Sequence, residues 1–237
     1  MPIQQMLLGT GAVATKTYVD DVFSTYLYTG NGTSKTITNG IDFTGKGGLV
    51  WTKARTNTDY DQHALQDTAR GAGTEIQSDN DSAANSPGSL GVSFSSNGYS
   101  LGGGYRYNWN GADFVSWSFR KAKGFFDCVT YTGNGSVRTI SHSLGCIPGL
   151  IMIKCTSDGS TSWRVYHRAI GDGKWLKLDD TDSADTDSSV WNNTDPTSTE
   201  FTLGTNGFVN GNNSTFVAYL FAGGESTNAL ARSVDYD

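Results

Sequence analysis

Apolar and polar side chains alternate along many short stretches of the chain, and this period of two predicts β-strands. In one of these stretches Val115, Trp117 and Phe119 fall on one face, while Ser116 and Ser118 fall on the other. About seven such stretches occur in about 100 residues, separated by Asn-Gly, Asp-Gly or Gly-Gly turn signals. The pattern predicts an all-β protein built from antiparallel β-sandwiches.

The chain also spells nearly the same segment twice, as YTGNGTSKTI from Tyr28 to Ile37 and as YTGNGSVRTI from Tyr131 to Ile140. Flanking blocks repeat in the same order: GLVWTK with GLIMIK, SNGYSL with TNGFVN, and ADFVSWSF with STFVAYLF. We therefore predict two tandem sandwich units, 25–124 and 125–224, with TGNG as a hairpin turn in each. Residues 1–24 precede the units, and residues 225–237 form a linker or begin a further domain.

Composition and net charge limit the classes of molecule that this protein is expected to bind. The 237 residues are 36% hydrophobic and only 17% charged, with 30 glycines, which fits a loop-rich β protein. The net charge of -6 and the scattered basic residues argue against nucleic acid as a partner. No apolar run approaches the roughly 18 residues of a membrane span, so no membrane insertion is expected. Cys128, Cys146 and Cys155 lack metal or redox spacing and are expected to be reduced, packed thiols.

The N-terminal segment is apolar without resembling a secretory signal, because no basic residue precedes its short apolar part. Farther along, apolar residues recur at a spacing of four through KTYVDDVFSTY, which predicts a short amphipathic helix. The segment lies outside the repeat and would expose apolar surface in water, so we expect it to dock on a partner protein. An alternative is a helix packed on the first unit. The docking candidates are Met6, Leu7, Leu8, Val13, Tyr18, Val19, Val22 and Phe23.

The sequence contains few residues in the arrangements that catalytic or metal-binding sites require. His63, His142 and His167 share no motif, and no nucleophile or metalloprotease signature occurs, so we expect a protein that is not an enzyme. An acidic loop, Leu178 to Ser189, is matched by Ser78 to Ser86 in the first unit and could bind calcium. Neither loop follows the twelve-residue calcium pattern, so we expect solvated loops and no cofactor. The weak calcium candidates are Asp180, Asp182, Asp185 and Asp187.

One aromatic loop invites a binding interpretation. GGGYRYNWNG, from Gly102 to Gly111, reads as an insertion relative to a shorter second copy, and it places Tyr105, Tyr107 and Trp109 between glycines. Aromatic side chains suit stacking on sugar rings or on another protein, because they bring large contact area with few torsions to freeze. The alternative is that these rings fold back on their own sandwich or on the neighbouring unit.

Six blocks of the sequence carry a family resemblance: MPIQQMLLGTGAVATKTYVDDVFSTYLYTGNG, WTKARTNT, LQDTARGA, WSFRKAKGFFDCVTYTGNG, SLGCIPGLIMIK and WRVYHRAIG. They resemble virion-associated proteins of marine tailed phages, particularly those that infect cyanobacteria and other ocean bacteria. The resemblance spans nearly the whole chain, and in such proteins these units precede domains of the concanavalin A/laminin-G-like kind. The ending ARSVDYD is similar to the first strand of such a domain.

The resemblance implies a structural, non-enzymatic tail-fibre or tail-appendage subunit that attaches to the virion through its N-terminus and contributes to host adhesion. It implies localisation in the virion after assembly in the host cytoplasm, with other virion proteins and possible host-surface glycan as partners. Fibres are usually homotrimers, so a homotrimer is expected. The alternatives are a capsid-decorating fibre or cement protein, and a carbohydrate-binding module or depolymerase. The family supplies no defined set of catalytic or ligand-binding residues.

Overall fold

The computed structural model describes residues 17–56 and 62–223. Within these residues the chain forms fifteen strands, and every paired strand is antiparallel to its neighbours. The five α-helices of this part of the chain are single turns of four residues. The prediction of an all-β, sandwich-like protein is confirmed.

The first unit comprises the elements before the junction at residues 121–125. Its large sheet has the strand order β1-β7-β3-β4 and its small sheet the order β2-β6-β5. A 3-10 turn, Gly88–Leu90, precedes β5. The elements are α1 (Val19–Val22), β1 (Phe23–Thr29), β2 (Lys35–Thr38), α2 (Phe43–Lys46), β3 (Gly48–Ala54), β4 (Ala64–Asp67), β5 (Val92–Ser95), β6 (Gly98–Leu101), α3 (Tyr105–Asn108) and β7 (Asp113–Arg120).

The second unit repeats this plan after the junction. Its large sheet has the order β11-β10-β15-β8, and two two-stranded sheets, β14-β9 and β12-β13, complete it. The elements are β8 (Phe126–Thr132), β9 (Arg138–Ser141), β10 (Pro148–Cys155), β11 (Arg164–His167), β12 (Lys174–Trp175), β13 (Asp185–Thr186), α4 (Ser188–Trp191), β14 (Glu200–Leu203), α5 (Gly207–Asn210) and β15 (Thr215–Ala222).

Three apolar clusters form the interior. In the first unit, Val50 and Phe114 of the large sheet pack with Ile37 and Tyr99 of the small sheet. The second unit has a corresponding cluster of its own between β10, β15 and β14. A third cluster joins the two units, with Leu49 and Leu65 from the first and Phe126, Val217 and Tyr219 among its members from the second. Each large sheet therefore packs one face against the core of its own unit and part of its other face against the other unit.

The TGNG segment is not a hairpin turn, and that prediction was wrong. β1 lies in the large sheet and β2 in the small sheet, so the segment carries the chain from one sheet to the other. A buried asparagine holds it: Asn108 Oδ1 accepts a hydrogen bond from the Asn31 amide at 3.0 Å, and its Nδ2 donates to the carbonyl oxygens of Gly102 and Thr33. The sheets meet at this crossing because the asparagine satisfies its backbone groups.

The second unit builds the same crossing from matching residues. Asn210 Oδ1 accepts from the Asn134 amide at 3.1 Å, and its Nδ2 donates to the carbonyl oxygens of Ser136 at 2.7 Å and Gly204 at 2.8 Å. The tyrosine that begins each repeated segment has the same role in both units. The Tyr28 hydroxyl donates to a backbone carbonyl of α3, and the Tyr131 hydroxyl donates to a backbone carbonyl of α5. The repeated sequence therefore encodes a repeated crossing between sheets.

The aromatic loop is not an insertion, and the block alignment behind that prediction was wrong. SNGYSL contains β6, whereas TNGFVN contains α5, so these two blocks are not equivalent. Helix α3 corresponds to α5, because each follows the last strand of the small sheet and precedes the last strand of the large sheet. The segments from Leu101 to Asp113 and from Leu203 to Thr215 have the same length.

Candidate functional site

The large sheet of each unit has one face on its own small sheet and one facing away, which we call the outer face. The first outer face is defined by Leu27, Trp51, Lys53, Val115 and Trp117. The strand register puts them together, since Val115 pairs with both Leu27 and Lys53 and Trp117 pairs with Trp51. Neighbours that are directly opposite on antiparallel strands point to the same side of the sheet.

The second outer face is defined by Thr130, Met152, Lys154, Val217 and Tyr219, which take the same register positions. Val217 pairs with Thr130 and Lys154, and Tyr219 pairs with Met152. Four of the five are buried, with exposed fractions of 0% for Lys154, Val217 and Tyr219 and 4% for Met152. The second outer face is thus covered, and the covering groups come from the first unit.

A loop of the first unit crosses the second outer face. We call residues 75–85 the first arm, since a β-bridge between Glu75 and Asn85 closes it. The Trp163 indole Nε1 donates to the Gln77 carbonyl at 2.9 Å, and Lys154 Nζ donates to the Asp81 carbonyl at 3.2 Å. The arm is therefore held by buried donors of the second unit.

A backbone hydrogen bond also ties the tip of the first arm to the second unit, from the Ala84 amide to the Thr156 carbonyl at 2.9 Å. The Thr161 amide reaches the Asp81 carbonyl at 3.3 Å. These contacts do not depend on the arm's side chains, so the arm's acidic sequence is not what attaches it here.

A buried polar triad stands at the centre of the junction between the units. Asp67 Oδ2 accepts from the Tyr219 hydroxyl at 2.7 Å and from Arg70 Nε at 2.6 Å. Arg70 Nη2 also donates to the Tyr219 hydroxyl at 3.1 Å. The side chains of Arg70 and Asp67 are 5% and 0% exposed. Because each member is hydrogen-bonded to the other two, the triad links the two units at a fixed position.

Burial governs the ionisation of the groups at this junction. It raises the pKa of the Tyr219 phenol well above its ordinary value, although Arg70 acts in the opposite direction. Burial by itself would lower the pKa of Arg70, but Tyr219 and Asp67 outweigh it, and the pKa is raised. Burial lowers the pKa of Lys154. The Tyr219 phenol and the Arg70 guanidinium therefore stay protonated, and both serve as hydrogen-bond donors to Asp67.

A second ion pair crosses the chain junction. Lys121 Nζ lies 2.7 Å from Asp127 Oδ1, and Asp127 Oδ2 accepts from the Ser143 amide at 2.6 Å. Burial alone would lower the pKa of Lys121, but Asp127 raises it. The short link between the units is therefore anchored at β8 rather than left as a free tether.

The first outer face is more open than the second. Trp51 and Trp117 are partly exposed, and their rings meet nearly edge to face, with centroids 6.2 Å apart. The Trp51 indole Nε1 donates to His63 Nδ1 at 2.8 Å, which fixes the ring. Leu27 is 59% exposed. An apolar face with oriented indoles can bind a protein surface or a sugar ring, because indoles offer large contact area at little entropic cost.

Two of the three aromatic-loop candidates, Tyr107 and Trp109, pack into the first unit and are not exposed stacking groups. Tyr107 is 2% exposed and belongs to the core of the first unit, where burial raises its pKa. Trp109 is only partly exposed and packs against the same core. Tyr105 begins α3. The prediction of Tyr107 as a surface residue was wrong, because the equivalent of Val209 in the second core is filled here by a tyrosine.

The same segment lines a cavity of about 280 Å³ together with Leu90 and Pro87. In it, Glu75 is 2% exposed at the side chain and pairs with Arg106 at 2.7 Å. Arg106 Nε also donates to Gln62 Oε1 at 2.9 Å. The loop therefore contributes Arg106 to an ion pair at the base of the first arm.

The docking candidates divide into three groups. Met6, Leu7, Leu8 and Val13 lie outside the described residues. Tyr18 and Val19 are exposed at the start of α1, by 50% and 41%. Val22 is buried and Phe23 packs on Phe119 with ring centroids 5.0 Å apart, so these two belong to the first unit rather than to a docking surface. The predicted amphipathic helix is a single turn because β1 begins at Phe23.

The calcium candidates are dispersed. Lys177 Nζ contacts Asp180 at 3.1 Å and Asp182 at 2.5 Å, whereas Asp187 caps α4 through the Ser189 amide. Asp185 lies in β13. Across residues 17–56 and 62–223, no group of three or more histidines, cysteines or acidic residues could hold a metal ion. Cys128, Cys146 and Cys155 are buried free thiols.

Sequence reasoning missed the outer faces, although one signal was available. The alternation in β7 placed Val115, Trp117 and Phe119 on one face, which a single sandwich would turn inward. The first core instead uses Phe114, with Ser116 and Ser118 bonded beneath it to Tyr99 and Asn39. In β7 the serines therefore face the first core, and the apolar side chains of Val115 and Trp117 face away from it.

Comparison with known proteins places the chain in a family. No helix among the described residues has the length and apolar character needed to cross a membrane. No match was found among curated proteins or among solved structures. The family model described as "Domain of unknown function (DUF7483)" matches residues 19–227. Because this match covers most of the chain, the protein belongs to the DUF7483 family.

Proposed function

We propose that the protein is a structural, non-enzymatic subunit of a phage virion, a tail fibre or tail appendage that contributes to host adhesion. The resemblance of its sequence blocks to marine phage virion proteins suggested this role. The observation that best supports it is the junction between the units, where Asp67, Arg70 and Tyr219 form one buried network. A junction of this kind turns two repeated modules into one stiff element.

Stiffness is what a spacer in an appendage needs. Two sandwiches on a free linker would reorient, whereas the third apolar cluster and the first arm resist sliding and bending at this junction. The Tyr219 hydroxyl of the second unit bonds to both members of the Asp67–Arg70 pair of the first. A hydrogen bond to a charged group contributes about 1.5–3 kcal/mol, so the triad favours one relative orientation of the units. Load applied at one end is then transmitted through the body of the protein.

Attachment to the particle is assigned to the segment before the first unit. Val22 and Phe23 are part of the first unit, so the docking segment ends before them. Its apolar residues within 1–13, followed by exposed Tyr18 and Val19, would gain roughly 25 cal/mol per Å² of apolar surface on burial against another virion protein. The proposed assembly is a homotrimer in the virion, put together in the host cytoplasm, with host-surface glycan as a possible target.

Truncation tests this assignment. Deleting residues 1–16 should leave circular dichroism and the melting temperature of the two units unchanged while abolishing incorporation into particles, measured by mass spectrometry of purified virions. A deletion through Phe23 serves as the contrasting variant, because it removes packed residues and should lower the melting temperature. Normal incorporation of the shorter deletion would place the docking surface on the units themselves.

The alternative functions give different results in the same preparations. A capsid-decorating or cement protein would be present at a copy number set by capsid symmetry. A carbohydrate-binding module would bind glycan without the particle, and a depolymerase would release reducing sugar. Absence of the protein from purified virions would refute the virion role.

A further inference from the structure

The repeat gives each unit an outer face and an arm, and among the described residues only the first arm crosses an outer face. The second arm is residues 175–185, closed by the pairing of Trp175 with Asp185 as Glu75 and Asn85 close the first. Equivalent aspartates fix both arms at their base, since Asp79 accepts from the His63 amide and Asp179 from the Trp163 amide. The two arms therefore leave their units in the same way.

The two outer faces, unlike the two arms, differ in how much of each is covered. The second outer face is covered by the first arm, whereas on the first outer face Leu27 is exposed, Trp51 and Trp117 are partly exposed, and only Val115 of this group is buried. Trp117 stands where Tyr219 is 0% exposed, and Trp51 stands where Met152 is 4% exposed. Among the described residues, the first outer face thus keeps exposed apolar area at Leu27 and the two indoles, and the second arm is exposed along residues 180–183.

We propose that the first outer face binds the second unit of another copy of this chain, with the second arm crossing it as the first arm crosses the second face. The contact is continuous with the existing junction, because Trp51 already lies at the edge of the cluster that joins the units. Leu27, at the far side of the face, would be covered by the incoming copy.

Charge favours this occupant. The second arm and its flanks carry Asp179, Asp180, Asp182, Asp185 and Asp187, two of them already paired with Lys177. The receiving edge of the first unit carries Arg55, which directly follows β3 as Thr156 directly follows β10. The carboxylates of Asp180, Asp182 and Asp185 are exposed on the arm, and their charge is complementary to Arg55 on the edge that the arm would cross.

The contact is head to tail, since the arm of one copy meets the face of the next and not its own equivalent. Contacts of this kind form a closed ring when the rotation permits and an open filament otherwise. A ring of three copies satisfies every first outer face and every second arm. The inference rests on the homotrimer within the proposed function and names the surface that would form it.

Sedimentation velocity of the full chain over a range of concentrations tests the face. We expect concentration-dependent oligomers, weakened at least tenfold by Leu27→Asp, which alters an exposed side chain. The matched control is Thr130→Asp at the equivalent exposed position of the second unit, which should sediment as the unaltered protein does. Oligomers unaffected by Leu27→Asp would overturn the proposal, as would a monomer at all concentrations.

A cysteine pair tests the arm directly. Ala84→Cys with Thr156→Cys should form a disulfide within one chain, because their backbones are hydrogen-bonded. The equivalent pair, Arg55→Cys with Ala184→Cys, should form disulfides between chains, seen as multimers on non-reducing gels. The native cysteines are buried and do not compete.

Failure of the second pair in an oligomer that does form would overturn the head-to-tail arm. In that case a trimer would have to form through another surface, and the proposed virion role would not be refuted. Absence of the protein from virions, in contrast, would refute the proposed function without affecting these measurements.

Discussion

The two outer faces have the same strand register and opposite surroundings. The second is closed by an arm, a lysine and a tyrosine whose hydroxyl belongs to a buried ionic network. The first presents two partly exposed indoles and an exposed leucine at the corresponding positions. The difference shows that in a tandem repeat the fold of a unit is encoded by what the copies share, whereas association is encoded by where they diverge.

The divergence is sharpest at one position of the large sheet. Asp67 pairs with Leu49 and lies in the junction, whereas His167 pairs with Leu150 at the equivalent site and is exposed. A buried carboxylate requires its partners, and here they are Arg70 of its own unit and Tyr219 of the other. The first unit therefore contributes the charged half of the junction.

The largest expected effect follows from removing that carboxylate. Asp67→Ala leaves the Arg70 guanidinium buried without its counter-ion and should lower the free energy of unfolding by roughly 3–5 kcal/mol. His167→Ala, the matched control, should change it by less than about 1 kcal/mol, since exposed sites contribute little. Urea denaturation followed by fluorescence measures both. Equal losses in the two variants would show that the junction is no more stabilising than the exposed edge.

The features shared by the units were only partly accessible from sequence. The alternation of β3, β7, β10 and β15 and the repeat of YTGNG were sufficient to predict an all-β protein. The role of TGNG was not, because Asn31 and Asn134 meet Asn108 and Asn210 across more than 70 residues of chain. A turn-forming sequence specifies local conformation, and the sheets that it joins are set by distant partners.

The features specific to one unit were harder to predict. β4, with the sequence ALQD, lacks β-branched and aromatic residues and becomes a strand through pairing with β3. Tyr107 was assigned to the surface because it lies among glycines, but it fills the first core. The junction triad left no local pattern, since Tyr219 lies about 150 residues along the chain from Asp67 and Arg70. Tertiary contacts, not propensity, decided these positions.

The shared asparagines give the next prediction, in which the two units should behave alike. Asn108→Ala or Asn210→Ala removes a buried acceptor and two donors, leaving backbone groups of the crossing unsatisfied. Each substitution should lower the free energy of unfolding by about 1–3 kcal/mol, the range for an unsatisfied buried polar group. Thermal and urea unfolding measure the loss.

Exposed neighbours provide the controls for this pair. Asn110→Ala and Asn212→Ala change asparagines on the same loops and should have effects within about 0.5 kcal/mol. If one buried asparagine proved dispensable while the other did not, the two crossings would not be equivalent despite their matching geometry.

The smallest effect concerns a position where the units use different chemistry for one hydrogen bond. Asn39 Oδ1 accepts from the Ile41 amide at 3.2 Å, and in the second unit His142 Nδ1 accepts from the Leu144 amide at 3.3 Å. An amide oxygen accepts at any pH, but an imidazole nitrogen accepts only when it is unprotonated. Burial lowers the pKa of His142, which is consistent with a neutral ring in the folded protein.

Stability should therefore fall on the acid side because of the second unit alone. In the unfolded chain this histidine takes up a proton below about pH 6.5, whereas in the folded protein its lowered pKa opposes protonation. The contribution to stability is therefore complete above about pH 6.5 and decreases as the pH falls from there toward the folded-state pKa. His142→Asn gives the second unit the asparagine acceptor that the first unit has at Asn39. The substitution should remove the pH-dependent part of the free energy of unfolding, which we expect to be about 1 kcal/mol, the net contribution of one hydrogen bond. Urea unfolding at pH 7.5 and pH 5 measures it, with Asn39→Ala as a variant that should lower stability equally at both. A pH dependence that survived His142→Asn would assign the acid sensitivity to another group.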